Sequence, residues 1–207
     1  MNTAIVNLST KRFWEGQTRL KERLVGNTEA DVFMYTNEAE VGAPLHTDNN
    51  YAFKVYAIDH IIDKGYSKIL WMDASMLPIK NIDSVFDIIE EQGYFFQFGG
   101  WNNNQWTNEK AKEYFGTDNG DMMAACCFGL DFEHDKTVEF WANVKQAMND
   151  GIFHGSWDNH RHDQTVMSIL AYKMGMPLHD PNVIFEYAKD GDMPSKESIV
   201  LFADGIC

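Results

Sequence analysis

The chain is short of cysteine, of positive charge and of long apolar runs, and each shortage removes a class of protein. Its 207 residues hold three cysteines, Cys126, Cys127 and Cys207. An odd number with two of them adjacent is neither a disulfide framework nor a zinc-ligand spacing, so a reduced, cytoplasmic setting is expected. Lysine and arginine total 17 against 31 aspartates and glutamates, a formal net charge of −14. That excess repels phosphate backbones and anionic lipid, which excludes a broad nucleic-acid surface but leaves room for a local basic pocket. No apolar stretch reaches the roughly 18 residues of a membrane span, and the opening MNTAIVNLSTKRF lacks the ordered regions of a signal peptide. Also missing are GxGxxG after a strand, GxxxxGKS/T, GxSxG and HExxH.

What is present is ordinary globular usage, with 44% hydrophobic and 23% charged residues, which suits a single domain over 1–207. Aromatics at 14%, six of them Trp, exceed what a minimal core needs, and surplus rings often line sites for flat or sugar-like ligands. Apolar β-rich runs predict buried strands at Thr3–Ser9, Asp31–Thr36, Lys68–Met72, Tyr94–Phe98 and Met122–Leu130, with closing strands at Val183–Ala188 and Ile199–Ala203. Helices are predicted between them. Asn50–Lys64 is the clearest, with Tyr51, Val55, Ile58 and Ile62 at helical spacing and Gly65 as its stop. Others are Phe13–Leu24, Asp83–Gln92, Thr107–Phe115, Lys136–Asn149 (seam Val138, Trp141, Met148) and His162–Met174. Gly99-Gly100 is expected to be a tight turn. Strands interleaved with helices indicate an α/β layer structure around a mixed, largely parallel sheet.

Ligands of such sheets bind beyond the carboxyl ends of the strands. There the third strand delivers Asp73, with Ser75 two residues on, in WMDASM. Hard divalent cations such as Mn²⁺ or Mg²⁺ take oxygen ligands of this kind, completed by water and substrate phosphates. The simpler role for Asp73 is to cap the turn before Pro78. Lys54 lies in the first turn of its helix, where the macrodipole disfavours a cation; a helix amino end plus a lysine makes a small anion site. A solvated lysine on a helix flank is the plainer alternative. Asn159-His160-Arg161-His162-Asp163-Gln164 crowds polar groups at the start of the last long helix, where Asp163 also suits a capping or first-turn role. Trp101 and Trp106, in WNNNQW, offer an acceptor platform for sugar faces, or a cover over core. Cys126 and Cys127 read as inert core residues.

YAFKVYAIDHIIDKGYSKILWMDASMLPIKNID, followed later by HRHDQTVMSILAYKMGM, resembles the nucleotide-sugar glycosyltransferases of the GT-A fold. In that family an Asp-x-Asp motif at the end of a central strand holds manganese or magnesium on the donor diphosphate, and a later Asp-Gln or similar pair lies near the reacting sugar. The resemblance implies a Rossmann-like GT-A domain that moves a hexose from a nucleoside diphosphate sugar, a UDP sugar, to a hydroxyl acceptor. Carried onto this sequence, it implies Asp73, Ala74, Ser75 and Lys54 at the diphosphate and Leu8, Ser9, Thr10 and Arg12 at the base and ribose. Asp163 and Gln164 would then be the catalytic pair, leaning towards retention, and Trp101 and Trp106 would meet the acceptor. The motif departs from the family in reading Asp-Ala-Ser, so a hydroxyl stands where a second carboxylate would. Asp204 is implied as the further metal ligand, with His179 as a substitute. The acceptor is left open among a glycan, a small molecule and a modified base. Two rival readings are a zinc-dependent hydrolase built on His154, His160 and His162, and a non-catalytic carbohydrate-binding module using the two tryptophans.

Overall fold

The computed structural model describes residues 2–187, 196–197 and 201–203. Along the chain run β1 (Thr3–Leu8), α1 (Trp14–Leu24), β2 (Asp31–Tyr35), α2 (Ala52–Ile62), β3 (Lys68–Met72) and β4 (Met76–Pro78). They are followed by α3 (Ser84–Gln92), β5 (Tyr94–Asn102), α4 (Glu109–Phe115), β6 (Asp121–Asp131), α5 (Asp135–Asn149), α6 (Asp163–Lys173), β7 (Phe185–Tyr187) and β8 (Leu201–Ala203). Five strands form one sheet in the order β2-β1-β3-β6-β5. β1 pairs in parallel with β2 and β3, and β6 is antiparallel to both β3 and β5, so four strands point one way and β6 the other. A small second sheet has the order β4-β8-β7.

The two-residue period of a strand sends alternate side chains to opposite faces, and here both faces are covered. Val6, Ile69, Trp71, Phe96 and Phe128 join the core under α2, α5 and α6. Ile5, Leu70, Met72, Phe95 and Cys127 join Leu20 and Leu24 of α1 and Val85 and Ile89 of α3 on the other side. The result is a three-layer α/β structure around a mixed, largely parallel sheet. Among the described residues, no helix is long and apolar enough to cross a membrane.

Several local expectations are corrected. Asp31–Thr36 reads as a buried strand, but β2 lies at the sheet edge, with Asp31 and Val32 exposed and Phe33, Met34 and Tyr35 only partly buried. Val138 is on the solvent side of α5; the buried stripe runs through Thr137, Trp141, Val144 and Met148. Tyr51 precedes α2 rather than packing in its stripe, which is Val55, Ile58 and Ile61. Gly99-Gly100 makes no turn: β5 continues through it with a register shift against β6. The first closing strand begins at Phe185 in β7 rather than at Val183, the second is described over β8, and Ala188, Ile199 and Val200 lie outside the described residues. β4 is too short for periodicity to reveal.

At the carboxyl end of the sheet, buried Asn7 ties three strands together. Its amide donates to the Met72 carbonyl at 2.6 Å, while its oxygen accepts from Ser9 Oγ at 2.9 Å and from Gln17 Nε2 at 2.7 Å. Gln17 Nε2 also donates to the Tyr35 carbonyl at 2.7 Å. α1 reaches this close because Gly16 faces Ala74: a Cβ there would lie 2.8 Å from the Ala74 carbonyl oxygen. Gly16→Ala is therefore expected to destabilise by about 1–3 kcal/mol, despite alanine's better helix propensity, because overpacking against a backbone atom outweighs that gain. Urea unfolding checks this; a neutral or stabilising result would mean that the Ala74 loop yields freely.

Candidate active site

Lys54 is the third residue of α2 and is buried (3% exposed). Its ammonium lies 3.3 Å from Asp73 Oδ1 and 3.2 Å from Asp163 Oδ2, and it donates to the Ala125 carbonyl at 2.8 Å. Asp73 follows β3, and its backbone N–H donates to the Cys126 carbonyl at 2.7 Å, carrying the pairing with β6 one residue further. The Trp71 indole donates to Asp73 Oδ1 at 2.7 Å. Asp163 opens α6 but makes no capping bond; its carboxylate turns to Lys54 instead. Burial works against the Lys54 charge, yet Asp163 and Asp73 together raise its pKa above the ordinary lysine value. Burial pushes the Asp163 carboxyl up, and Asp73 adds to this while Lys54 opposes it.

Two cavities meet at this triad. One, of about 630 Å³, opens beyond β1 and is lined by Leu8, Ser9, Thr10, Arg12, Ala74 and Ser75. The other, of about 250 Å³, is lined by Lys54, Trp101, Cys126, Arg161, Asp163 and Gln164. Tyr51, Asp73 and Trp157 belong to the walls of both. Gln164 Nε2 donates to the Met123 carbonyl at 2.8 Å, which commits one of its two amide hydrogens to β6.

The partition between the cavities is aromatic and strained. Tyr51 has φ of 57° and His162 has φ of 51°, a region L-residues seldom occupy and one that gathers at functional sites. Their rings stack at 5.2 Å, and Trp157 stacks on both, at 6.2 Å from Tyr51 and 5.8 Å from His162. Arg161 is held between Trp106 and Trp157, its guanidinium carbon 3.7 and 3.9 Å from the two ring centres.

The sequence-predicted residues thus largely converge. Leu8, Ser9, Thr10, Arg12, Ala74 and Ser75 share one cavity, Lys54, Asp163, Gln164 and Trp101 the other, and Asp73 both. Trp106 stands behind Arg161, while Trp157 faces the cavities. Asp204 lies outside the described residues. His179 lines neither cavity; its Nδ1 bonds the Phe96 carbonyl at 3.0 Å and its ring packs tilted against Phe95. Sequence reasoning missed Trp157, Arg161 and Tyr187 as wall residues. It also placed Cys126 in the core with Cys127, whereas its thiol, pushed up to about 12 by burial, lies 3.6 Å from Tyr187 Oη at the cavity wall. The available signal was HRHDQ itself, whose Arg was passed over for its neighbours.

The zinc arrangement is not formed. His160 and His162 each spend a ring nitrogen on a backbone carbonyl, of Ile152 and Phe153, both at 2.8 Å, while His154 is exposed. Burial lowers the His160 pKa to about 4, as suits a neutral core imidazole. Among the described residues, no three His, Cys, Asp or Glu side chains are grouped to hold a metal. For a hard cation the fit is different. Asp73 is about a third exposed (34%) and its Oδ1 is engaged by Trp71 and Lys54, which leaves Oδ2, with Ser75 on the same cavity wall. One carboxylate with waters and substrate phosphates is an ordinary magnesium site.

No family model matches the chain, and no curated protein matches it. Solved structures do match in fold. The apo structure of WbbM, a bifunctional glycosyltransferase, superposes with a TM-score of 0.63 at 10% identity over 97% of this chain, which spans 45% of that protein's length. Mouse xyloside xylosyltransferase 1 gives 0.55 at 8% identity, covering 98% of this chain and 97% of that one. A glycosyltransferase involved in glycosylation of the PBCV-1 major capsid gives 0.55 at 13% identity, covering 97% and 91%. The architecture is thus one these glycosyltransferases share.

Lys54→Met leaves two carboxylates facing each other with no cation, and is expected to cost about 3–5 kcal/mol at pH 7. Asp163 already has a raised pKa when folded, so protonation favours the fold, and its contribution falls as pH rises through that pKa. Without the ammonium this pKa climbs further, so the loss should be smaller at pH 5 than at pH 7. Urea unfolding of both proteins at the two pH values checks this; an equal loss would show that Asp163 does not depend on Lys54.

Proposed function

We propose that this chain is a glycosyltransferase moving a hexose from a nucleoside diphosphate sugar, a UDP sugar, to a hydroxyl acceptor, with retention of anomeric configuration. One observation carries the reading: Asp73 stands where a larger cavity beyond β1 meets a smaller one containing Asp163 and Gln164. A diphosphate joins a nucleoside to a sugar in the same way, as a charged link between two differently sized groups.

In this reading Ser9, Thr10 and Arg12 face base and ribose in the larger cavity. Asp73 and Ser75 would hold Mn²⁺ or Mg²⁺, which when bound supplies counter-charge for the leaving diphosphate. Lys54 keeps Asp73 and Asp163 in place and adds fixed positive charge beside the departing group, a preorganised contribution. Asp163 accepts hydrogen bonds from sugar hydroxyls. Gln164 has one amide hydrogen bonded to the Met123 carbonyl, which fixes the amide, and in this reading its carbonyl oxygen meets the electron-poor anomeric centre. Trp101, exposed at the rim, offers a face to the acceptor, whether glycan, small molecule or modified base.

Thermal unfolding with UDP, with and without manganese, tests the class. Ligand at a hundred times its Kd adds about 2.7 kcal/mol, roughly 5–10 °C for a chain of this size. The rise should require manganese and vanish in Asp73→Asn. A chain indifferent to UDP, or an Asp73→Asn variant that still answers to UDP plus manganese, would overturn the assignment. The released sugar's anomeric configuration, read by NMR during donor turnover, tests retention.

A further inference from the structure

The smaller cavity contains a cation that the transfer described above does not use. Arg161 precedes α6 by two residues and lines the cavity with Asp163 and Gln164. Its guanidinium is clamped between Trp106 and Trp157, at 3.7 and 3.9 Å, so its orientation is set before any ligand arrives. Nη1 is buried with no hydrogen-bond partner, and among the described residues no carboxylate lies within ion-pair distance of it. In a chain with 31 acidic side chains, a guanidinium fixed in place without an ion pair is conspicuous, and Asp158 acts on it only from beyond ion-pair distance.

Charge in the cavity points the same way. Asp73 and Asp163 outnumber Lys54 by one, so an anion entering would meet net negative charge without Arg161. A neutral sugar would need no such balance. Stacking on indoles also leaves the guanidinium edge, the part that makes paired bonds to an oxyanion, directed away from the rings. Resting on the glycosyltransferase reading, we infer that the acceptor is an acidic sugar, bearing a carboxylate or phosphate that Arg161 binds in the smaller cavity while its ring lies against Trp101. The volume of about 250 Å³ suits a small saccharide unit rather than a polymer, and the net charge of −14 disfavours a polyanion.

Calorimetric titration with glucose, glucuronate and glucose 6-phosphate, on protein with and without saturating UDP and manganese, tests this. Both acidic sugars should bind wild type about ten- to a hundredfold more tightly than glucose, as paired charge-assisted bonds imply. Arg161→Gln should bring all three to the glucose level with UDP affinity unchanged, and Arg161→Lys, which keeps the charge but not the fork, should fall between. Equal binding of the three sugars, no binding of any of them, or a preference surviving in Arg161→Gln would overturn the inference. So would a weakening of UDP itself, which would give Arg161 to the diphosphate, or binding of a single-stranded oligonucleotide in place of the sugars. If Arg161→Gln fails to fold, Arg161→Lys decides alone, its undiminished preference counting against the inference. UDP binding without an acidic-sugar preference removes this inference only; an Arg161-dependent preference without UDP binding removes the nucleotide reading only.

Discussion

Lys54 joins α2, the end of β3, β6 and the start of α6 through one buried ammonium. A lysine so deeply buried is tolerable only if its charge is met, and here two carboxylates and a carbonyl meet it. The same bonds hold Asp73 and Asp163 on a shared wall rather than letting them swing to solvent. The carboxylate pair it organises is also what offsets most of the cost of its own burial. Site geometry and local stability are therefore one property, and a change at any of the three side chains is felt by the other two.

Around this triad the backbone is under tension that the packing offsets. Tyr51 and His162 each take a positive φ at a helix start, and their rings stack on one another with Trp157 alongside. The stack closes the partition between the two cavities and, through Trp157, also fixes Arg161. His160 and His162, bonded to the carbonyls of Ile152 and Phe153, brace the loop that presents Trp157 and Arg161. Histidines that look like metal ligands in sequence are here supports for a loop, which is why the zinc arrangement does not assemble.

The fold was largely legible because both faces of the sheet are covered: buried strands read as apolar runs, and helices as periodic stripes closed by glycine. β3 and its exit into Asp73 were visible for that reason, as was the convergence expected of Lys54, Asp73 and Asp163. Exposure at the edge strand β2, the side of α5 on which Val138 lies and the passage of β5 through Gly99-Gly100 were not. Each depends on which neighbour is absent or where a register shifts, and neither is a local property of residue types.

Composition and order along the chain determined a layered α/β protein, a carboxylate at a strand's mouth and a polar cluster opening the last long helix. Only the tertiary structure decided that Lys54 serves carboxylates in the core rather than solvent. It also decided that Trp157, rather than Trp106, faces the cavities, and that Cys126 turns to the wall while Cys127 stays in the core. The physical reason is that charge pairing and ring stacking act through space, between residues up to about a hundred positions apart, whereas sequence pattern records only which face of its own element a residue occupies.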